Sequence, residues 1–418
     1  MTIIKHNKCR ISDGSLDQVW DLGNFYLSHF YDQPDKSAPS APLRMGIGSK
    51  SNLLQLMDTV ERDSMYRQYW YLSGTNATMT KQLKDIVDIV PNWVNLNEND
   101  IVLDIGCNDG TLLNHYDSKY KVKKYGIDPA KNIYEAFKDK IDNYLCDYFD
   151  SEKFMSMSDG KKAKVITSIG MFYDLEDPNE FTKDIKDCLS DDGIWILQLS
   201  YTPLMLVQNA FDNIIHEHLE YYTLKSIEFL LKKNELKIID VELNNTNSGS
   251  IRLVVSHEQN DIKNVSLFNK DIGDFRVKST REFEEKYFSN MHDSFNSFVE
   301  RVNNLKDKTN NLLLKLKKSQ KKVIGYGAST KGNTLLQYYG IDSSLIDCIA
   351  ERQEQKYNKF TPGSWIKVIS EEEMRNMKPD YLFIFPWHFY SEFLLRENKL
   401  LKNGTKFIVP LPELNIIG

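Results

Sequence analysis

The feature that most limits what this chain can become is the run Val102-Leu103-Asp104-Ile105-Gly106-Cys107-Asn108-Asp109-Gly110-Thr111. Its apolar start reads as a buried strand, and the glycines that follow let the backbone turn sharply and come close to a ligand. The helix expected next presents free N–H groups at its first turn. A second strand ends at Gly126-Ile127-Asp128, placing an acidic side chain 24 residues after Asp104. An acidic residue there can bond both hydroxyls of a ribose. A dinucleotide site wants G-x-G-x-x-G, whereas this loop reads D-x-G-x-N-x-G. Asp104 ahead of the first glycine disfavours a pyrophosphate and favours a cofactor bearing an ammonium and a carboxylate.

Strand and helix signals go on alternating through KKYGID, KVITSI and GIWILQLS, which implies a parallel sheet with crossover helices. From 274 to 320 the sequence is polar, with Phe283, Tyr287, Phe295, Phe298 and Val302 near helical spacing, so long helices are expected. A second strand–glycine–helix unit opens at Lys322 (KVIGYGASTKGNTLLQYYGI), followed by strands at LIDCIAE, DYLFIFPW and KFIVPL. The first 45 residues hold Pro34, Pro39 and Pro42 and predict a loop-rich lobe.

Composition removes several classes of function. With 418 residues there is room for two to four domains, and a net charge of −6 offers no basic field to nucleic acid. The longest apolar runs fall short of the ~18 residues that a membrane span needs. Five scattered cysteines without a CxxC encode neither a disulfide framework nor a complete cysteine zinc site.

The segment FDNIIHEHLEYYTL packs His216, Glu217, His218 and Tyr222 into one short span. Histidines at i, i+2 diverge on a helix but share a face on an extended turn. Glu217 can orient or charge-tune one imidazole and so make a base near neutral pH.

Together with SGTNATM (73–79), GYGASTKGNTLL (325–336) and the glycine loop, this segment resembles the class I S-adenosylmethionine-dependent sugar C-methyltransferases, nearly end to end. The resemblance implies an α/β fold: a Rossmann-like methyltransferase domain, a smaller Rossmann-like C-terminal domain and an irregular N-terminal lobe. The expected divisions are 1–80 for the lobe, 81–255 for the cofactor domain, 256–320 for a helical connector and 321–418 for a nucleotide-sugar-binding domain. It also implies methylation of a nucleotide-linked 4-keto-deoxy sugar, typically at C3, with S-adenosylmethionine as cofactor. By motif position His218 is the base, beside Glu217 and His216, with Tyr66, Tyr69 and Tyr71 as donors or relays.

The expected cofactor contacts are Asp104, Gly106, Asn108, Asp109, Gly110, Asp128, Asp147, Tyr148 and Phe149. Substrate contacts are expected from Ser73, Thr75, Asn76, Tyr222, Ser329, Thr330, Lys331, Asn333, Arg352 and Trp387. The expected partner is a nucleotide-diphosphate sugar, with no nucleic acid and no membrane, for a cytoplasmic monomer or homodimer. Rival classes are oxygen or nitrogen methylation of a related sugar nucleotide, a nicotinamide oxidoreductase, and a non-catalytic binding derivative.

Two departures stand out. The family's N-terminal lobe usually carries CxxC twice, but here the pairs read Cys9-Arg10-Ile11-Ser12 and Gly48-Ser49-Lys50-Ser51, so no metal is expected. Ile215 precedes the two histidines where a polar or aromatic residue is expected, which leaves the exact substrate open.

Overall fold

A computed structural model describes the chain except residues 1, 68, 70, 76, 117–119 and 261–265. At its centre is a seven-stranded sheet in the order Leu236–Asn244, Ser250–His257, Leu189–Ser200, Ala163–Ile169, Ile101–Ile105, Lys123–Ile127, Asn143–Leu145. The last five run parallel, and Ser250–His257 pairs antiparallel with both of its neighbours. Alternate side chains on one strand serve opposite faces. Ile101, Leu103, Ile105, Trp195 and Leu197 therefore pack in one core cluster, while Val102, Ile194 and Ile196 pack in another. Burial on both faces explains why these strands read as continuous apolar runs.

The strand Ile101–Ile105 is flanked on its two sides by Lys123–Ile127 and Ala163–Ile169. The chain order reverses there, which opens a crevice at the carboxyl ends of the strands. The second sheet repeats the plan with six strands, and Val323–Tyr326 lies between Ile349–Glu351 and Tyr381–Ile384. Helices Leu267–Tyr287 and Met291–Lys318 run between the two sheets in the chain, as the spacing of aromatic residues predicts. Phe295 and Phe298 of the second helix pack with Trp20 in a cluster that also takes in the C-terminal sheet. No described helix is long and apolar enough to cross a membrane.

The N-terminal segment departs from the loop-rich expectation. Leu16–Tyr26, Ser40–Gly48 and Leu54–Leu56 form an antiparallel sheet, completed by Glu220–Tyr221 from far along the chain. The irregular stretches include the one between the first two of these strands and the turn-rich one at residues 6–15 ahead of them. Pro42 is accommodated because it pairs with Asn24 on one side, whereas the Leu54–Leu56 strand reaches only Met45–Ile47 on the other. An open side is where a strand tolerates proline.

Three of the four positions where the resemblance leads to the expectation of cysteines lie together here. Cys9 Sγ lies 3.1 Å from Ser51 Oγ, and a Cβ added at Gly48 would fall 2.8 Å from that sulfur. One thiol, two hydroxyls and a glycine do not make the four nitrogen or sulfur ligands of a structural zinc site. Among the described residues, no three His, Cys, Asp or Glu side chains converge as a metal site. Polar ties hold the turn instead. Arg10 N–H donates to Gln55 Oε1 at 2.8 Å, Asn179 Nδ2 donates to the Arg10 carbonyl at 2.6 Å, and Lys233 Nζ donates to the Ile11 carbonyl. The Arg10 guanidinium is 3% exposed and meets Glu176 at 3.1 Å and Glu220 at 3.0 Å.

Elemental analysis of the purified protein should therefore give far less than one zinc per chain, and a chelator should leave thermal unfolding unchanged. A structural zinc would contribute folding energy outright, so stoichiometric metal with chelator-induced melting would overturn this reading.

Candidate active site

The loop after Ile101–Ile105 holds three residues in the left-handed region: Gly106 (φ 72°), Asn108 (φ 51°) and Gly110 (φ 75°). A side chain at Gly106 would reach within 3.0 Å of Met171, and one at Gly110 within 2.7 Å of Ile141, so sterics as well as φ select glycine. Asp128 steadies the loop from the next strand, accepting the Asn108 N–H and the Ala130 N–H, each at 2.9 Å. Burial raises the Asp128 carboxyl above its ordinary range, and these two bonds oppose the shift. Asp104 is 3% exposed and accepts the Thr167 hydroxyl at 2.6 Å. Burial pushes its carboxyl up to about 7.

The loop also grips the segment in front of it. Asn108 accepts the Ser73 N–H at 3.0 Å and donates to the Tyr71 carbonyl at 3.0 Å, while Asp109 accepts the Gly74 N–H at 2.8 Å. Tyr69, Tyr71, Ser73 and Thr75 are thereby held beside the glycine loop, and all four line the same cavity. Farther along, Arg62 stacks 3.9 Å above the Tyr148 ring, whose hydroxyl donates to Asp63 at 2.8 Å. Asp147 pairs with Lys153 at 3.0 Å.

His218 lies across the cavity. Its Nδ1 is 2.8 Å from the Asn213 carbonyl, which can only accept, so Nδ1 carries the proton and Nε2 the lone pair. Burial pushes the ring down to about 3, with the positive charge of Lys331 acting in the same direction. It is a neutral imidazole at physiological pH. The Tyr173 ring meets it edge-on, with centroids 4.4 Å apart, and the Tyr66 hydroxyl donates to the Glu217 carbonyl at 2.6 Å.

The far wall comes from the C-terminal sheet. Gly327 turns at φ 85°, and the helix Thr330–Tyr339 begins with Ser329 accepting the Gly332 N–H at 3.0 Å. Ser329, Thr330, Lys331 and Arg352 face the cavity, whose volume is about 1380 Å³ and which also reaches Asp104, Gly106, Asn108, Asp128, Asp147, Tyr148 and Phe149.

Residues 76–241 match the methyltransferase domain family, and residues 245–412 match the C-methyltransferase C-terminal domain family. C-methyltransferase NovU of Streptomyces niveus is 25% identical to this chain over 378 residues, covering 90% of this chain and 88% of that protein. The chain is an S-adenosylmethionine-dependent methyltransferase with a C-methyltransferase C-terminal domain. Sphingolipid C9-methyltransferase of Candida albicans is 30% identical over 148 residues, covering 31% of this chain and 28% of that one. A solved S-adenosylmethionine-dependent methyltransferase from Clostridium acetobutylicum is 16% identical, with a TM-score of 0.34 over 43% of this chain and 92% of that one.

Several expected site residues of the methyltransferase do not line the cavity. The histidine segment is a tight turn closed by the His218 N–H on the Ile215 carbonyl at 3.1 Å, not an extended turn, and it sends the two rings apart. His216 goes to the Ala41 carbonyl at 3.2 Å and is 4% exposed. Both imidazoles are thus oriented by backbone carbonyls, where Glu217 was expected to do this. Tyr222 packs in the core against Phe172, and Asn333 lies one turn inside its helix, also buried. Trp387 donates its indole N–H to Asp212 at 2.9 Å within the interior. Asp109 and Gly110 shape the loop without facing the cavity. Asn76 lies outside the described residues.

Sequence reasoning missed three residues that do line the methyltransferase's cavity: Tyr173, Asp174 and His388. Tyr173 and Asp174 closely follow Ala163–Ile169, and His388 closely follows Tyr381–Ile384. Their signal was available, because residues just past the carboxyl end of a strand beside a switch point face the ligand crevice.

Proposed function

We propose that this enzyme methylates the carbon beside the ketone of a nucleotide-activated keto-deoxy sugar. The observation that carries the reading is one continuous cavity of about 1380 Å³ with three chemically distinct stations along it. That exceeds the ~300–1,000 Å³ of a pocket for one small molecule, so there is room for a donor and an acceptor together. Asp128 suits ribose hydroxyls at one station. His218 offers a neutral lone pair at the next. The third, with Ser329, Thr330 and Lys331 at a helix N-terminus, suits a diphosphate.

His218 Nε2 takes the proton from the carbon beside the ketone. The C–H electron pair becomes a carbon–carbon double bond, and the carbonyl π electrons move onto oxygen. Phenols of Tyr69 and Tyr71 are within the same cavity as hydrogen-bond donors. Bound beside Asp104 and Asp128, S-adenosylmethionine would supply an electrophilic methyl for the enolate carbon, its sulfur keeping the electron pair of the bond that breaks and the ketone re-forming from the enolate oxygen. The proton on His218 then leaves to solvent. Incubating the enzyme with a panel of nucleotide keto-sugars and reading a one-methyl mass gain tests the proposal. Methyl transfer to sugar nucleotides lacking a ketone, and to none of the keto-sugars, would replace it with oxygen or nitrogen methylation.

Asp104 gives the cofactor a pH dependence. Its carboxyl must be ionised to hold an ammonium, and with a pKa of about 7 in the free enzyme the proton-bearing fraction rises as pH falls through that value. Calorimetric titration is expected to show S-adenosylmethionine bound about tenfold more weakly at about pH 6 than at about pH 8. The Asp104→Asn variant should bind weakly at both. A wild-type affinity flat across this range would remove Asp104 from the ammonium site.

A further inference from the structure

Asp174 is a carboxyl with no assigned work in an unusual place. It ends the 3-10 turn Phe172–Asp174 that follows Ala163–Ile169, and it lines the cavity on the side where the crevice opens. Its Oδ1 is buried without a hydrogen-bond partner. An unsatisfied buried polar atom is costly, and at a site built for chemistry a ligand atom is its natural partner.

Its position relative to the base is fixed by its neighbour. Tyr173 packs edge-on against the His218 ring, and the Tyr173 carbonyl accepts the Leu219 N–H at 2.7 Å, one residue beyond that histidine. The turn bearing Asp174 and the turn bearing His218 are therefore stitched together through both backbone and ring. The groups whose electrostatics reach Asp174 include Glu217, Glu220, Tyr66, Tyr69, Tyr173 and Tyr221, and none of these is a cation. Burial, then the like charges of Glu220 and Glu217, push its carboxyl well above the usual carboxylate range. The neutral acid is the form that this environment holds, and a neutral acid is a donor.

We propose that Asp174 presents its O–H to the ketone oxygen of the substrate and stabilises the negative charge that gathers there while His218 removes the neighbouring proton. The inference rests on the carbon-methylation reading above. No proton is transferred from Asp174 in this role. The hydrogen bond shortens as the oxygen becomes an enolate and relaxes when the carbon–methyl bond has formed and the ketone is restored. A donor fixed in a water-poor site is worth about 10²–10³ in rate.

Two variants and two readouts test it. Asp174→Asn keeps an N–H donor in the same shape, whereas Asp174→Leu keeps the shape and loses every donor. Exchange of the substrate's α-proton with deuterium from solvent, with an inert cofactor analogue bound, should survive in Asp174→Asn within about tenfold and fall about 10²–10³-fold in Asp174→Leu. S-adenosylmethionine affinity, measured by calorimetry, should be retained in both and shows that both fold. An infrared difference spectrum of ligand-free wild type against Asp174→Asn at neutral pH should contain the carbonyl stretch of a protonated carboxyl.

Asn and Leu variants that are equally crippled would show that an ionised carboxylate is needed and overturn the donor role. So would a Leu variant as active as wild type, or a spectrum without the band. If wild type exchanges no keto-sugar at all, it is the carbon-methylation reading that fails, and the ketone is lost as the recipient. That outcome differs from any in which wild type exchanges and the variants depart from the expected order.

Discussion

Replacing His218 with alanine is expected to abolish methylation while leaving S-adenosylmethionine affinity nearly unchanged. The ring is the cavity-lining imidazole whose Nδ1–H is committed to a backbone carbonyl, leaving Nε2 free to take a proton. Loss of a general base costs about 10²–10⁴ in rate. Because burial and Lys331 push the ring down to about 3, it is already unprotonated across the neutral range. With S-adenosylmethionine saturating, so that Asp104 does not enter, the kcat/KM profile for the acceptor should therefore show no acid-side loss from an ordinary histidine titrating near ~6.5. Deuterium exchange at the substrate's α-carbon separates base from bystander. The His218 variant should not exchange, whereas a His216 variant should, since that ring is spent on the Ala41 carbonyl. Retained exchange and turnover in His218→Ala would move the base elsewhere, with Tyr66, Tyr69 and Tyr71 next to be tested.

The second large effect concerns stability. Arg10→Met should destabilise the fold by about 3 kcal/mol, the lower end of what removing one member of a buried ion pair costs. Arg10 Nε lies 3.0 Å from Glu220 Oε1, and the two side chains are 3% and 0% exposed. The contact is not aligned as a hydrogen bond, and burial still pushes the Glu220 carboxyl well above its ordinary range against the opposing charge of Arg10. Without the guanidinium, Glu220 takes up a proton instead of remaining a lone buried anion, which is why the lower figure applies. Thermal unfolding followed by fluorescence should shift down by several degrees. A Glu220→Gln change in the same background should restore part of the loss, because a neutral amide there carries no cost of protonation. An unchanged melting curve for Arg10→Met would show that the remaining ties on the Cys9–Ser12 turn suffice.

The parts of the fold that were legible in the sequence are those where backbone geometry restricts the residue type. Gly106, Asn108 and Gly110 had to tolerate left-handed φ, and the doubly buried strands had to be apolar on both faces, so both left a local signature. The N-terminal sheet left none. Its prolines suggest loops, and Pro42 survives in a strand only because of where the partner strand ends. Its fourth strand is two residues borrowed from the segment after His218.

The site divides in the same way. Asp128 and His218 line the cavity as expected of positions set by a strand end or a recurrent motif, and their roles there are the proposal. His216, Tyr222 and Trp387 were misassigned because a one- or two-residue offset within a turn decides which side a ring faces. Trp387 turns into the core while His388 meets the cavity. Asp174 carries no motif, and its character comes from what surrounds it.

The strand Glu220–Tyr221 has a consequence for how the protein comes into being. A chain emerging from the ribosome presents its first three lobe strands early, yet Leu54–Leu56 keeps an unsatisfied edge until residue 221 is out. At about 5–20 residues per second the wait is on the order of ten seconds or more. Through that interval a row of bare N–H and carbonyl groups on an apolar strand is open to wrong pairing. The segment that finally covers it carries His218 only two residues earlier, so the turn bearing that histidine and the closing of the lobe arrive in a single event. Nascent chains of this enzyme thus pass through a vulnerable period that ends when the turn bearing His218 is in place.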